Sequence, residues 1–405
     1  MGIRKEKRAL RLQGNLQHLL DSLVGRGFEL GLQVAVYLDG ELVADVSAGH
    51  VSSGSSRMVD SNTLFPVCST GKGILSTMLH ILASRGVINY DRPIIKYWPE
   101  FGLNGKAAVT VRQALSHMAG IPQTPRFKSL EEACNWNAAC AKVAEMTPSW
   151  TPGSKAEYHS RSFGWILGGI IERAAKRPFK SILRDEITHP LCIEDSLFFG
   201  TSDDAETRVS PFEAQATQKE QCSTAPATPQ ALSPETASAL ALPIMDFVNM
   251  PEVRRSCMPA LNGIMSAKAI AKHYAALIGK VDGVRLIPES VLEKATTLQT
   301  PPASLPACFG HGFGLGYVLK GMAPCHGSFF GHGGAGGSEG MANRGLRMAV
   351  GLTKNRMDTH SNALNHTCVL VMNEIMSILG NNGDGGFYKL IAPNQASTDK
   401  LGNLA

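Results

Sequence analysis

Aromatic residues are scarce in this chain, at 6% of 405. Charged residues reach only 18%, and neither sign dominates: 39 Lys and Arg against 34 Asp and Glu leave a formal charge of +5. No basic run is interleaved with aromatics, so the electrostatic footprint of a nucleic-acid reader is missing. No stretch approaches the ~18 consecutive apolar residues that a membrane-spanning helix needs. The nine cysteines are scattered and never spaced CxxC, which argues against a zinc ribbon, a redox dithiol and a secreted disulfide framework. HExxH and any His/Cys cluster at ligand spacing are absent, so no metal is expected. A Walker A loop and a GxGxxG that follows a strand are absent as well, and no cofactor is expected. Gly312, Gly314 and Gly316 alternate in a strand-like run and lead into no helix. The charged N-terminus is followed by no apolar h-region. Gly2 invites a myristoylation reading, which Glu6 spoils. These absences lead to the expectation of a soluble, cytoplasmic protein.

What is present is enough apolar residue, 43%, to bury a sizeable core. Leu10, Leu12, Leu16, Leu19, Leu20 and Leu23 mark an amphipathic helix over about 4–25. Two β-rich runs, 32–38 and 41–46, flank Asp39-Gly40, a strong hairpin signal. Ile74, Leu75, Met78, Leu79 and Leu82 predict a helix over 69–86. Between 87 and 240 there are helical patches at 111–116 and 163–175 but no regular strand alternation. The stretch 201–240 reads as a long polar loop or lid. Helical periodicity returns at 267–277 and 288–297, strand character at 314–319 and 347–353, and a last helix at about 361–379. The expected fold class is therefore α+β, an α/β sandwich. Residues 1–75 and 300–380 would form an antiparallel sheet built from both ends and flanked by terminal helices. A mostly helical domain, 76–299, would be inserted, and 381–405 would be a flexible tail.

Three stretches are candidates for chemistry. Ser69-Thr70-Gly71-Lys72 is an SxxK at a helix start, where positions i and i+3 share a face. A serine hydroxyl is a poor nucleophile until a base takes its proton. A lysine can do so only when neutral, and burial favours that form. The same serine would also suit a plain helix cap. A second SxxK, Ser397-Thr398-Asp399-Lys400, lies in the polar tail with no apolar helix behind it and is read as chance. Next, Tyr158-His159-Ser160 presents a phenol just before a helix. A phenol can act as a base if nearby cations lower its pKa. Last, Gly331-His332-Gly333-Gly334-Ala335-Gly336-Gly337-Ser338 lets backbone N–H groups approach a ligand, as an oxyanion hole requires. Gly336-Gly337-Ser338-Glu339-Gly340 also satisfies GxSxG. That elbow needs a strand before it and a helix after it, whereas a turn over 341–345 is expected here. His117 reads as a structural polar residue.

The order Ser69-x-x-Lys72, Tyr158-x-Ser160, His332-Gly333-Gly334 resembles the three motifs of the serine β-lactamase and penicillin-binding-protein superfamily. It is most similar to class C β-lactamase-like esterases (family VIII carboxylesterases) and related acyltransferases. Tyr97-Trp98-Pro99-Glu100-Phe101, Pro259-Ala260-Leu261-Asn262-Gly263 and Gly310-His311-Gly312-Phe313-Gly314 fit the same group. The resemblance runs over about 30–375 and implies roles. Ser69 would be the acylated nucleophile, Lys72 the group that abstracts or relays its proton, and Tyr158 an assisting base that delivers a proton to the leaving group. The N–H groups of Ser69 and Ala335 would form the oxyanion hole, and Ser160, His332, Gly333 and Gly334 would bind substrate. Ser160 stands where class C enzymes carry Asn, and His332 where β-lactamases carry Lys. An imidazole in place of the cation that receives a β-lactam carboxylate points towards neutral esters or thioesters. The implied activity is hydrolysis of small carboxylic esters or thioesters through acyl-Ser69. Alternatives are acyl transfer to an alcohol in secondary metabolism, with an acyl-carrier donor and the 201–240 insertion shaping its pocket, and an inactive relic that binds a ligand or self-assembles.

Overall fold

The computed structural model describes residues 3–214, 242–300, 312–320, 329–357 and 366–379. Its strands are β1 (Gly31–Leu38), β2 (Glu41–Gly49), β3 (Phe65–Cys68), β4 (Leu197–Phe199), β5 (Glu213–Ala214), β6 (Gly263–Met265), β7 (Val318–Lys320), β8 (Phe329–Gly333), β9 (Glu339–Asn343), β10 (Met348–Lys354) and β11 (Arg356–Met357). Five helices organise the rest: α1 (Ile3–Gly25), α2 (Gly71–Ser84), α3 (Ser162–Ala175), α4 (Ala267–Ile278) and α5 (His366–Leu379).

The central sheet has the order β2-β1-β10-β9-β8-β7, with every neighbour antiparallel. Asp39 and Gly40 both take positive φ, 54° and 82°, which closes the β1–β2 hairpin with the twist that a two-residue turn needs. β1 is thus sandwiched between its hairpin partner and β10 from near the other end of the chain, so the sheet does assemble from both ends as expected. Its two faces follow from the period of two. Val34, Val36, Val350 and Leu352 point to one side, where they pack with Leu12, Leu16 and Leu20 of α1 and Val371, Met372 and Ile375 of α5. Ala35, Tyr37 and Ala349 point to the other, where they meet Ile270, Ala271 and Tyr274 of α4. At Gly351 a Cβ would stand 2.1 Å from the Ala267 carbonyl oxygen, so glycine is what lets α4 lie this close. Helix α4 falls inside the stretch read as the helical insertion, yet it covers the sheet.

Buried polar groups fasten these layers. Gln33 donates to the Thr63 carbonyl (3.0 Å) and accepts from the Ala267 N–H (3.0 Å) and the Thr353 hydroxyl (3.2 Å). Lys354 pairs with Glu29 at 2.7 Å, both sealed from solvent. The Thr367 hydroxyl donates to the same carboxylate, which pins the start of α5.

Several local expectations change. A second, three-stranded sheet, β3-β6-β4, was not anticipated, because strands of three or four residues carry no readable alternation. Residues 341–345 are not a turn throughout: β9 runs to Asn343 and the turn follows it. In 314–319 only Val318 and Leu319 lie in β7, and the preceding residues bend back so that Phe313 bridges Val318. The stretch 201–240 begins with a short helix (Asp203–Glu206) and β5, which pairs in parallel with β11. Its remainder from 215, the tail from 381 and the second SxxK lie outside the described residues. Among the described residues no helix is long and apolar enough to cross a membrane.

Candidate active site

Strand β3 delivers the chain to Ser69 through a strained residue. Cys68 has φ 45°, in the left-handed region that non-glycine residues avoid. Ser69 and Thr70 form a turn, and α2 begins at Gly71. Ser69 does not cap the helix: Thr70 occupies the N-cap position and makes no side-chain cap bond. Lys72, one turn on, is completely buried. Its Nζ lies 2.9 Å from Ser69 Oγ and donates to the Ala260 carbonyl at 2.8 Å. That carbonyl is set by the loop before β6, where Asn262 accepts from the Met258 N–H (2.9 Å) and donates to the Val253 and Ser256 carbonyls (2.6 and 2.8 Å). Ala260 and Asn262 were not singled out for a role from sequence. In sequence the Pro-Ala-Leu-Asn-Gly run only fits the family resemblance and gives no hint of a carbonyl aimed at a lysine.

Tyr158 completes the cluster. Ser69 is the polar neighbour that acts on its hydroxyl, and Lys72 Nζ sits 4.9 Å from its ring centroid. The third stretch enters from β8. At Gly334 a Cβ would stand 2.0 Å from the Val67 carbonyl oxygen, so only glycine lets the turn after β8 seat against the β3–Ser69 turn. The Gly334 N–H donates to the Ser338 carbonyl (2.8 Å), and so does the Thr70 hydroxyl (3.1 Å). The N–H groups of Ser69 and Ala335 donate to no group among the described residues. Ala335 is exposed, and Gly333, Gly334 and Ser69 are half-buried. His332 is buried, with its ring 6.0 Å from that of Tyr158. Its Nδ1 lies 2.7 Å from the Gly333 carbonyl, which can only accept, so Nδ1 carries the proton. Ser160 is exposed and makes no side-chain hydrogen bond among the described residues; Lys72 is held by Ser69 and Ala260 instead. Ser338 is buried and followed by a strand, so the strand–helix elbow that GxSxG requires is not formed.

Burial sets the electrostatics. It pulls Lys72 down to about 7, only partly opposed by Cys68. It pushes the Tyr158 phenol up, and the neighbouring Ser69 draws it down by less; the direction is the reverse of the cation-lowered phenol considered from sequence. Burial and the nearby Lys72 take His332 down to about 3. At neutral pH the cluster therefore combines a serine, a lysine near its midpoint, a protonated phenol and a neutral imidazole.

Residues 16–368 match the Beta-lactamase family. The chain belongs to that family and is an enzyme of the β-lactamase-like kind. It is 30% identical over 360 residues to the esterase/beta-lactamase LipL of Mycobacterium tuberculosis, covering 82% of this chain and 78% of LipL. Two solved structures are similar throughout. A family VIII carboxylesterase has TM-score 0.77 and 25% identity, over 91% of this chain and 98% of its own. A penicillin-binding protein homologue from Caulobacter crescentus has TM-score 0.77 and 27% identity, over 92% and 98%.

Proposed function

We propose that this protein is a serine hydrolase that cleaves carboxylic esters or thioesters through an acyl-Ser69 intermediate. The observation that carries the reading is Lys72: buried, 2.9 Å from Ser69 Oγ, and drawn down to about 7. Near neutral pH a large share of its amine is free to take the serine proton. Ser69 Oγ then attacks the ester carbonyl, and the oxyanion develops towards the N–H groups of Ser69 and Ala335, which donate to no group among the described residues. The tetrahedral intermediate expels an alkoxide or thiolate. Tyr158, protonated and beside Ser69, gives the leaving atom its proton, and the proton that Lys72 took from Ser69 passes to the phenolate to restore it. Water repeats the sequence in reverse to free the acid. The substrate class follows from the third motif. His332 offers no cation for a carboxylate, and the groups of that motif open to solvent are the backbones of Gly333, Gly334 and Ala335. Ser160, two residues from Tyr158, is exposed and free to meet a substrate. LipL and the carboxylesterase structure support the same reading.

The test is the intact mass of the protein after incubation with a short p-nitrophenyl ester and with a serine-directed phosphonate, for wild type and Ser69→Ala. An adduct on wild type that is lost in Ser69→Ala supports the reading; one that survives the substitution overturns it. Added alcohol then separates hydrolysis from transfer, since a transferase forms a new ester.

A further inference from the structure

His117 was read as a structural polar residue, but its surroundings are unusual. It has φ 60°, a left-handed conformation that histidine tolerates better than most side chains. Its carbonyl accepts from the Glu157 N–H at 3.0 Å, and its Nδ1 accepts from the His159 N–H at 3.1 Å. One residue therefore holds the backbone on both sides of Tyr158. Its ring also lies against the phenol, 4.8 Å between centroids, and against Phe163 (4.6 Å) and Phe313 (4.5 Å). Since Nδ1 accepts an N–H, the ring must be neutral with its proton on Nε2, an atom that is buried and has no hydrogen-bond partner among the described residues. A group kept at that cost implies a gain elsewhere. His159 braces the same segment: its Nδ1 donates to the Glu157 carbonyl (2.6 Å) and its Nε2 accepts from the Ile121 N–H (3.1 Å).

From this geometry we infer that His117 is the positioning residue of Tyr158: it clamps residues 157 and 159 and packs the phenol so that its hydroxyl stays on Ser69. The inference rests on the role of Tyr158 proposed above. It predicts a specific kinetic signature. A displaced phenol fails as an acid, which matters for an alkoxide that leaves poorly and little for p-nitrophenolate, which leaves unaided. A residue that only stabilised the fold would lower both reactions alike.

The experiment compares kcat/KM for a p-nitrophenyl ester and an alkyl ester of the same acid, in wild type, Tyr158→Phe, His117→Phe, His117→Asn and His117→Ala. Tyr158→Phe should depress the alkyl ester by about 10²-fold and the p-nitrophenyl ester by less than ~10-fold, within the usual range of acid–base effects. His117→Phe keeps a ring but loses the acceptor, and should show the same selectivity at roughly 10-fold. His117→Asn puts an amide oxygen where Nδ1 was and tolerates the left-handed backbone, so it should restore much of the alkyl-ester rate. If Tyr158→Phe is selective and His117→Phe lowers both esters equally, or neither, the inference on His117 is wrong while the reading of Tyr158 stands. If Tyr158→Phe is itself unselective, the reading of Tyr158 is wrong and takes the inference with it. Should His117→Phe fail to fold, the contrast moves to Asn against Ala: an alkyl-ester rate no better in Asn than in Ala overturns the inference.

Discussion

Two lysines in this molecule are equally cut off from water and have opposite surroundings. Lys354, at the end of β10, meets the Glu29 carboxylate at 2.7 Å. Lys72, at the start of α2, meets only neutral oxygens among the described residues, Ser69 Oγ and the Ala260 carbonyl. Removing an ammonium from water costs several kcal/mol unless a counter-charge offsets it. Lys354 has that counter-charge and joins the α1–β1 connection to the sheet, and the same carboxylate holds the start of α5. Lys72 has none, and its desolvation is relieved by releasing the proton, which brings it down to about 7. Lys106 sharpens the lesson. It too is buried, donates among the described residues only to the Leu103 and Met146 carbonyls, and is drawn down to about 8. A depressed lysine is therefore not yet a base. In the proposed mechanism it becomes one where a hydroxyl stands beside it, and the Ser69 turn places such a hydroxyl 2.9 Å from Lys72.

This contrast can be broken at either end. Replacing Lys72 by Met should slow acylation by about 10³-fold in a stopped-flow assay, the scale of a lost general base. The same change should leave the urea midpoint equal or higher, because it removes a desolvated amine; a large loss of stability would count against the picture. Glu29→Gln should do the reverse. Taking the carboxylate away from buried Lys354 should lower the unfolding free energy by about 3–5 kcal/mol, with kcat of the folded fraction unchanged. Adding Lys354→Met to Glu29→Gln should recover most of that loss, since an apolar replacement of a buried pair is often close to neutral.

The smallest effect concerns pH. Lys72 has a folded value of about 7, below its ordinary ~10.4. Between the two, the unfolded chain carries a proton that the folded chain lacks, so this group makes stability rise with pH. The slope is at most ~1.4 kcal/mol per pH unit and is clearest from about pH 7 to 8.5. Above that, buried thiols held up to about 12, such as Cys68, act in the opposite direction. The difference between wild type and Lys72→Met isolates the lysine, and equal slopes would remove it as the source. Acylation itself should rise through pH 7 and then level off.

Much of this was legible in the chain. Asp39-Gly40 announces the hairpin because few residue pairs accept positive φ twice in a row. Ser69 and Lys72 are visible as a pair because three residues of helix bring them to one face. What the chain hides is tertiary. The carbonyl of Ala260 is a backbone atom on a distant loop and has no side-chain signature. The clamp at His117 needs two segments about forty residues apart to meet, and its clue, a positive φ, is invisible in a histidine. Helix α4 shows its apolar face in sequence but not which layer that face will cover. The phenol of Tyr158 shows the limit of charge-based guessing: one lysine above its ring does not outweigh burial.

The pairing of β1 with β10 sets Leu32 opposite Lys354 across the ladder, and this governs when the enzyme can come into being. During synthesis the β1–β2 hairpin and the serine–lysine helix leave the ribosome early. The turn that backs Ser69, anchored by Gly334 and Ser338, emerges only with the last quarter of the chain, and the strand that joins β1 into the sheet follows it. At ~5–20 residues per second, Ser69 waits many seconds for its seat. A nascent chain halted before residue 329 would thus hold Ser69 and Lys72 without the glycine turn or Ala335, and contacts over so long a loop form more slowly than local ones.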